Sequence, residues 1–161
     1  MSDDPVTRFK APVRLDYTVT AGSVTADFLR EILKGRLVGR RCPDCRCVYL
    51  PPRSACPTCG VITTEQIEVG PNGTVTTFSV IRFPFEGQVL EPPYACAHVL
   101  VDGTDTPLLH IVGNCDVDDM RMGMRVRAVW AEELKPTLAS VRYFEPNGEP
   151  DVTYDSFSGH V

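Results

Sequence analysis

Apolar residues follow a helical spacing in one stretch of the chain, between Thr25 and Lys34. Four apolar side chains there share one face, Asp27 suits the first turn, and Gly35 stands where glycine commonly ends a helix. The pattern predicts one short amphipathic helix. Its apolar positions are Phe28, Leu29, Ile32 and Leu33.

Beyond residue 59 the pattern changes to runs of alternating β-branched and aromatic residues that are bounded by turn residues. Five such runs occupy about 80 residues without a helix strong enough to form a crossover, which favours a small antiparallel barrel of the OB-fold type. Two shorter strands, Arg36–Arg41 and Val48–Leu50, are predicted after the helix. The barrel strands are predicted at Thr74–Phe83, Tyr94–Val101, Leu108–Val112, Arg125–Trp130 and Leu138–Phe144.

These patterns predict a mainly β chain in four segments. Residues 1–22 lack a helical period, and we expect an extended arm that lies on another surface or stays mobile. Residues 23–65 hold the helix and a ribbon, and residues 66–145 hold the barrel. Residues 146–161, rich in Pro, Gly and Asp at their start, are predicted to form a tail that becomes ordered on contact.

Four of the seven cysteines form two C-x-x-C pairs separated by ten residues. This spacing is typical of a zinc ribbon, in which each pair supplies two thiolates to one tetrahedral ion. Four cysteine ligands leave no position for water or substrate, so we predict one structural Zn²⁺ per chain. A redox pair or four unligated thiols are the alternatives. The predicted ligands are Cys42, Cys45, Cys56 and Cys59.

The two pairs differ in the residue that follows them, which is Arg46 after the first pair and Gly60 after the second. Glycine readily adopts a positive φ at such a position and arginine does not, so we expect a distorted first turn. Cys47 lies too close to Cys45 in sequence to join the same tetrahedron comfortably.

Charge and composition exclude several classes of protein. The 161 residues carry a formal charge of −5, which argues against a protein whose main partner is a phosphate backbone. No apolar run approaches the roughly 20 residues of a membrane span, and the acidic, polar start lacks the features of a secretory signal. We therefore expect a cytoplasmic protein without a membrane segment.

The sequence contains few candidate catalytic residues. The sequence contains no phosphate loop, no H-E-x-x-H and no G-x-S-x-G motif. Cys96 and His98 share one face of a predicted strand, but a buried thiol beside a hydrogen-bonded histidine is favoured over a Cys–His nucleophile. His110 is interpreted as a core or barrel-lining residue. No catalytic residue is predicted in this chain.

Three segments of the sequence resemble the DUF35 family: FLREILKGRLV at 28–38, YLPPR at 49–53 and GMRVRAVW at 123–130. The resemblance implies a rubredoxin-like zinc ribbon joined to a C-terminal five-stranded OB-fold. It also implies a non-catalytic accessory subunit of a thiolase-like enzyme, or of a lipid-transfer-protein-like aldolase, that acts on acyl-CoA. The residues around Phe144–Pro146 and Pro150–Asp151 resemble the branch associated with steroid side-chain degradation.

The resemblance further implies a hetero-oligomer, which we expect to contain two copies of each subunit, with acyl-CoA at or near the interface. Residues 34–53 hold six basic side chains and one acid, and arginine suits the phosphates of coenzyme A or an anionic protein surface. The alternative is that these arginines balance the thiolates and stay solvated. The arginines predicted to make such contacts are Arg40 and Arg53.

Aromatic residues in a Pro- and Gly-rich loop are costly to expose, which points to a partner that covers them. We predict that this loop, the helix face and the aromatic tail contact the enzyme, although packing of the helix on the ribbon or barrel is an alternative. The predicted contact residues are Phe28, Ile32, Arg82, Phe83, Phe85, Tyr154 and Phe157.

Two other functions remain open at this point. Zinc ribbons and OB-folds both occur in proteins that bind single-stranded nucleic acid, although the net acidity counts against this function. The chain could also bind acyl-CoA unaided, which a binding measurement on the isolated protein distinguishes from an accessory role.

Overall fold

The structure is a computed structural model that describes Thr7, Ala11, Val13, Leu15 and residues 17–88 and 90–161. Most of the predicted extended arm, residues 1–22, lies outside the described residues. Its described part at 17–22 is exposed and contains no helix or strand. Within the described residues, no helix is both long and apolar enough to cross a membrane.

The predicted amphipathic helix is present as α1, Ser23–Ile32. It ends where Gly35 adopts a φ of +70°, and its apolar face packs into the protein core. Phe28 is 4% exposed and Ile32 is fully buried. This burial corrects the prediction that these two side chains contact a partner, because the helix packs on its own ribbon and barrel.

The ribbon contains a three-stranded antiparallel sheet with the order β2-β1-β3. Its strands are β1 (Leu37–Arg41), β2 (Val48–Tyr49) and β3 (Glu65–Val69). The sequence pattern did not identify β3, whose side chains are mostly polar and exposed. The predicted segment boundary at 65/66 therefore falls within a strand of the ribbon sheet. Gly39 allows β1 and β2 to approach, since a Cβ there would lie 2.8 Å from Val48.

Five further strands form the predicted closed barrel, in the order β4-β5-β6-β8-β7. The last predicted strand begins late, because residues 138–140 form a 3₁₀ turn before it. Strands β6 and β8 are parallel and pair only through Val112 and Phe144. The bounds are β4 (Asn72–Ile81), β5 (Tyr94–Val101), β6 (Leu108–Val112), β7 (Arg125–Trp130) and β8 (Val141–Pro146).

One hydrophobic core joins the ribbon to the barrel. The β5–β6 loop reinforces this connection, because Asp105 bonds both backbone groups of Val48: its Oδ2 accepts from the amide at 2.7 Å and its own amide donates to the carbonyl at 2.9 Å. The Thr106 hydroxyl accepts from the Leu50 amide at 3.0 Å. The position of β2 is therefore fixed by the metal-binding turns on one side and by the barrel on the other.

The C-terminal tail folds back onto the barrel. Phe157 is 2% exposed, and the Val152 amide donates to the Gly123 carbonyl at 2.9 Å. The His160 ring donates from Nδ1 to the Asp105 carbonyl at 2.9 Å. The prediction that Phe157 contacts a partner is corrected by its burial in this chain, whereas Tyr154 remains 55% exposed.

Candidate metal centre and docking surface

The two C-x-x-C turns have the same backbone geometry. Arg46 adopts a φ of +65° and Gly60 a φ of +72°, and their amides donate to the Cys42 and Cys56 carbonyls at 3.2 and 2.9 Å. The expected distortion of the first turn is therefore wrong. A left-handed arginine costs about 1–2 kcal/mol, which the metal centre can offset.

The predicted ligand sulfurs converge on one point. The sulfur atoms of the four cysteines all lie within 4.8 Å of one another, and those of Cys45 and Cys56 are 3.7 Å apart. A tetrahedral zinc with bonds of about 2.3 Å places its sulfur ligands about 3.8 Å apart. The donor set and its spacing therefore fit a closed Zn²⁺ site, and Cys47 is outside this set.

The surroundings of the sulfurs also favour a cation. The Tyr49 hydroxyl lies 3.1 Å from the Cys56 sulfur, and this hydrogen bond lowers the pKa of Cys56 to about 6. Hydrogen bonding with Cys45 and burial raise the pKa of Cys59 to about 12. The neighbouring groups thus favour the Cys56 thiolate and disfavour that of Cys59, and a bound dication would stabilise all four thiolates.

The basic ribbon segment is largely neutralised by acids from outside it. Lys34 and Arg36 both pair with the buried carboxylate of Glu31, and these hydrogen bonds, led by that of Lys34, lower the pKa of Glu31. Arg40 lies 3.6 Å from Asp27 and has a side chain only 19% exposed. Arg53 is exposed and lies over the Tyr49 ring. Of the two arginines predicted to make contacts, Arg53 is thus the more accessible.

The loop between β4 and β5, described at residues 82–88 and 90–93, carries two strongly exposed aromatic side chains. We call it the aromatic loop. Phe83 is 83% exposed and Phe85 is 61% exposed. Arg82 pairs with Asp118, which anchors the start of the loop to the barrel. The loop therefore presents both phenylalanines to solvent, as a contact with a partner requires.

An apolar groove beside the aromatic loop was not predicted from the sequence. It has a volume of about 550 Å³ and lies between the β5–β6 face and residues 138–142. Leu109 and Leu90 are exposed along it. The sequence of β6 does indicate such a surface, because the strand is apolar on both faces. Leu108 and Val112 are buried in the barrel, while Leu109 faces solvent. We call this surface the docking groove.

Cys96 and His98 lie on the outer face of β5, as their spacing predicts. The His98 ring is exposed and its Nδ1 lies 3.2 Å from the Thr77 hydroxyl. Burial raises the pKa of the Cys96 thiol, so that the reactive thiolate is disfavoured at neutral pH. The geometry supports the structural interpretation of both residues.

His110 lies in the barrel wall with its ring edge against Phe144, at a centroid distance of 5.6 Å. Its Nδ1 accepts a hydrogen bond from the Ile111 amide at 2.9 Å. Burial lowers the pKa of His110, so the folded protein favours the neutral ring. This position agrees with the prediction of a core or barrel-lining residue.

We expect the lowered pKa of His110 to make folding sensitive to mild acid. The unfolded chain binds a proton near pH 6.5, and the folded chain does so only at lower pH, so stability is complete above about pH 6.5 and falls below it. His110→Gln should reduce the loss of unfolding free energy between about pH 7.5 and about pH 5, measured by urea denaturation. The exposed His98→Gln is the control, and equal pH slopes for both variants and the wild type would contradict the assignment.

The fold and the sulfur geometry define a zinc-ribbon and OB-fold protein with one structural metal centre. Residues 32–62 match the model of the rubredoxin-like zinc ribbon domain of ChsH2, and residues 66–131 match that of the ChsH2 C-terminal OB-fold domain. The chain belongs to the DUF35 family. The predicted family, fold and structural zinc are confirmed.

Scaffold proteins and an enzyme subunit are among the proteins with sequences similar to this chain. A DUF35 domain-containing scaffold protein of Methanocaldococcus jannaschii is 34% identical over 58% of this chain and 67% of its own length. A scaffold protein of Pyrococcus furiosus is 28% identical over 60% and 69%. A probable enoyl-CoA hydratase alpha subunit of Thermomonospora curvata is 34% identical over 60% of this chain, but only 30% of that subunit is matched.

Two solved structures have the same fold. A chain of an Ltp2-ChsH2(DUF35) aldolase superposes with a TM-score of 0.62 and 25% identity, and the match covers 80% of this chain and 98% of that one. A DUF35 protein of unknown function from Sulfolobus solfataricus also gives a TM-score of 0.62, with 17% identity over 78% of this chain and 87% of its own. The second likeness supports the fold alone.

Proposed function

We propose that this protein is a non-catalytic accessory subunit that binds a thiolase-superfamily enzyme acting on acyl-CoA thioesters in the cytoplasm. The observation that carries the proposal is the likeness to a chain of the Ltp2-ChsH2(DUF35) aldolase, which extends over the ribbon and the barrel together and covers 98% of that chain. Relatives named as scaffold proteins support the same role.

The local chemistry supports a subunit that contributes surface instead of catalytic groups. The four metal-binding thiols form a closed set, and the pKa of the Cys96 thiol is raised. A rigid surface can raise the turnover of an enzyme by ordering its acyl-CoA channel, without supplying an acid, a base or a nucleophile. We propose that the enzyme is a thiolase or a retro-aldolase, including those that shorten steroid side chains, in an assembly of two copies of each subunit.

The arrangement of charge gives less support to binding of single-stranded nucleic acid. That function needs a positively charged groove beside stacking aromatic residues. On the barrel, Arg125 pairs with Asp102 and Glu149, and Arg127 pairs with Glu145. These cations are therefore engaged by neighbouring acids.

The aromatic loop provides the first test of the proposed role. Phe83→Ser with Phe85→Ser should weaken binding of the enzyme subunit by about tenfold or more, because two exposed aromatic anchors are lost. Tagged chain is co-expressed with the thiolase-superfamily proteins of its source organism, and the complex is measured by size-exclusion chromatography and titration calorimetry.

The matched control is Ile62→Ser, which removes a 71% exposed apolar side chain from the ribbon. Zinc content should stay at one per chain in both proteins. Unchanged affinity of the double variant would remove the aromatic loop from the interface, whereas failure of the wild-type chain to bind any thiolase-superfamily protein would contradict the proposed function itself.

A further inference from the structure

The docking groove exists because two neighbouring barrel strands diverge. Strands β6 and β8 are parallel and share only the Val112–Phe144 pair. Residues 138–140 make a 3₁₀ turn instead of extending β8 along β6. On the outside of the closed barrel, this divergence leaves a depression between Leu109 on β6 and Leu138 on the turn, and this depression is the groove.

Apolar side chains line most of this groove, and two leucines among them face solvent. Leu109 is 61% exposed and Leu90, at the end of the aromatic loop, is 42% exposed. The half-buried Ile111 and Leu138 and the buried Val141 also belong to the lining. Exposed apolar surface that is contiguous with an aromatic loop is typical of an interaction site, because single exposed leucines are common but clusters of them are not.

Arg142 is the one charged residue in the groove lining. Nine of the eleven arginines that the structure describes form ion pairs, and Arg142 and Arg53 are the exceptions. The Arg142 guanidinium instead lies over the Tyr143 ring, 5.6 Å from its centroid. Its hydrogen-bond donors are thus not paired with any acid in the described part of the chain, and they lie beside an apolar surface.

We propose that the docking groove and the aromatic loop form one continuous binding surface, on which a segment of the enzyme subunit fills the groove with apolar side chains and pairs a carboxylate with Arg142. This inference rests on the proposed function and adds where the enzyme binds and which side-chain chemistry it presents. The charge complementarity is specific, since a forked guanidinium binds a carboxylate through two parallel hydrogen bonds.

A protein segment fits this surface better than a small acyl ligand does. Pockets for small ligands enclose most of the ligand surface, whereas this groove lies open on the barrel wall. A ligand confined to the groove would also leave Phe83 and Phe85 exposed. A protein surface covers the groove and the aromatic loop together, which places the apolar residues in the centre of an interface and Arg142 at its rim.

Two substitutions test the surface in the full chain, with the enzyme subunit that co-purifies with it as the probe. Leu109→Asp places a charge in the groove at an exposed position, and we expect about a 30-fold loss of affinity, the effect of a hot-spot residue. Arg142→Glu should cost about tenfold at low salt and less at high salt. The matched controls are Ile62→Asp on the ribbon, at a 71% exposed apolar position, and Arg30→Glu on α1, and both should bind normally.

The outcomes distinguish failure of the proposed binding surface from failure of the accessory role. If Leu109→Asp and Arg142→Glu bind the enzyme as tightly as the wild-type chain does, this binding surface is wrong while the accessory role stands. A loss caused by Ile62→Asp alone would place the interface on the ribbon and overturn the inference in the same way. If the isolated chain binds an acyl-CoA ester and Leu109→Asp abolishes only that binding, the groove is a ligand site. If no thiolase-superfamily subunit binds, both proposals fail.

Discussion

Cys56→Ser is expected to abolish stoichiometric zinc binding and to unfold the ribbon. Cys56 is buried, and its sulfur belongs to the group of four and lies 3.1 Å from the Tyr49 hydroxyl. Structural zinc contributes about 10–16 kcal/mol to units of this kind, which is comparable to the whole stability of a typical domain. Metal analysis should give close to one zinc per wild-type chain and almost none for the variant.

The loss of structure in the ribbon should extend into the barrel through the β5–β6 loop. Asp105 and Thr106 bond the backbone of β2 and Leu50, so release of the ribbon frees the partners of that loop. Hydrogen exchange should therefore quicken at residues 48–50 and 104–106. Cys47→Ser is the matched control, since Cys47 packs beside the sulfurs but lies outside the group of four. Full zinc content in Cys56→Ser, or its loss in Cys47→Ser, would contradict the assigned ligands.

Phe157→Ala should destabilise the chain by about 3 kcal/mol, because removal of a buried phenylalanine leaves a cavity and loosens the tail. Phe157 is 2% exposed and meets Tyr154 edge to face at 5.4 Å. For a chain of this size, the change should lower the melting temperature by about 6–12 °C in calorimetry.

Tyr154→Ala is the control for the tail. Because Tyr154 is 55% exposed, this variant should be destabilised much less than Phe157→Ala. The affinity for the enzyme subunit distinguishes packing from contact. If Phe157→Ala melts at the wild-type temperature but binds the enzyme more weakly, the tail acts as a partner contact and its packing on the barrel is not important for stability.

Local patterns were sufficient to predict the barrel and the metal centre. The bounds of β5, β6 and β7 agree with the predicted strands, because turn residues bound all three segments and buried positions alternate along β5. The four ligands lie in two short turns whose C-x-x-C spacing identifies them, and the fold brings their sulfurs together. Arg46 shows the limit of a local rule, since the demands of the metal centre override its intrinsic preference for a negative φ.

Features that depend on distant residues could not be read from local patterns. Strand β3 has mostly polar side chains and is recognisable only through its pairing with β1. The basic segment is neutralised by Glu31, Glu65 and other acids that the fold brings to it. The docking groove depends on the divergence of β6 and β8, a property of the closed barrel. Burial of Phe157 likewise requires the tail to meet the barrel.

The most direct test of an accessory role is a turnover measurement with each component alone and with both together. The purified chain, loaded with one zinc, is assayed on acyl-CoA thioesters with and without its thiolase-superfamily subunit. The accessory role predicts no enzymatic turnover by this chain alone and a clear rise in turnover when it joins the enzyme. Turnover of a thioester by the isolated chain at an enzymatic rate would contradict it.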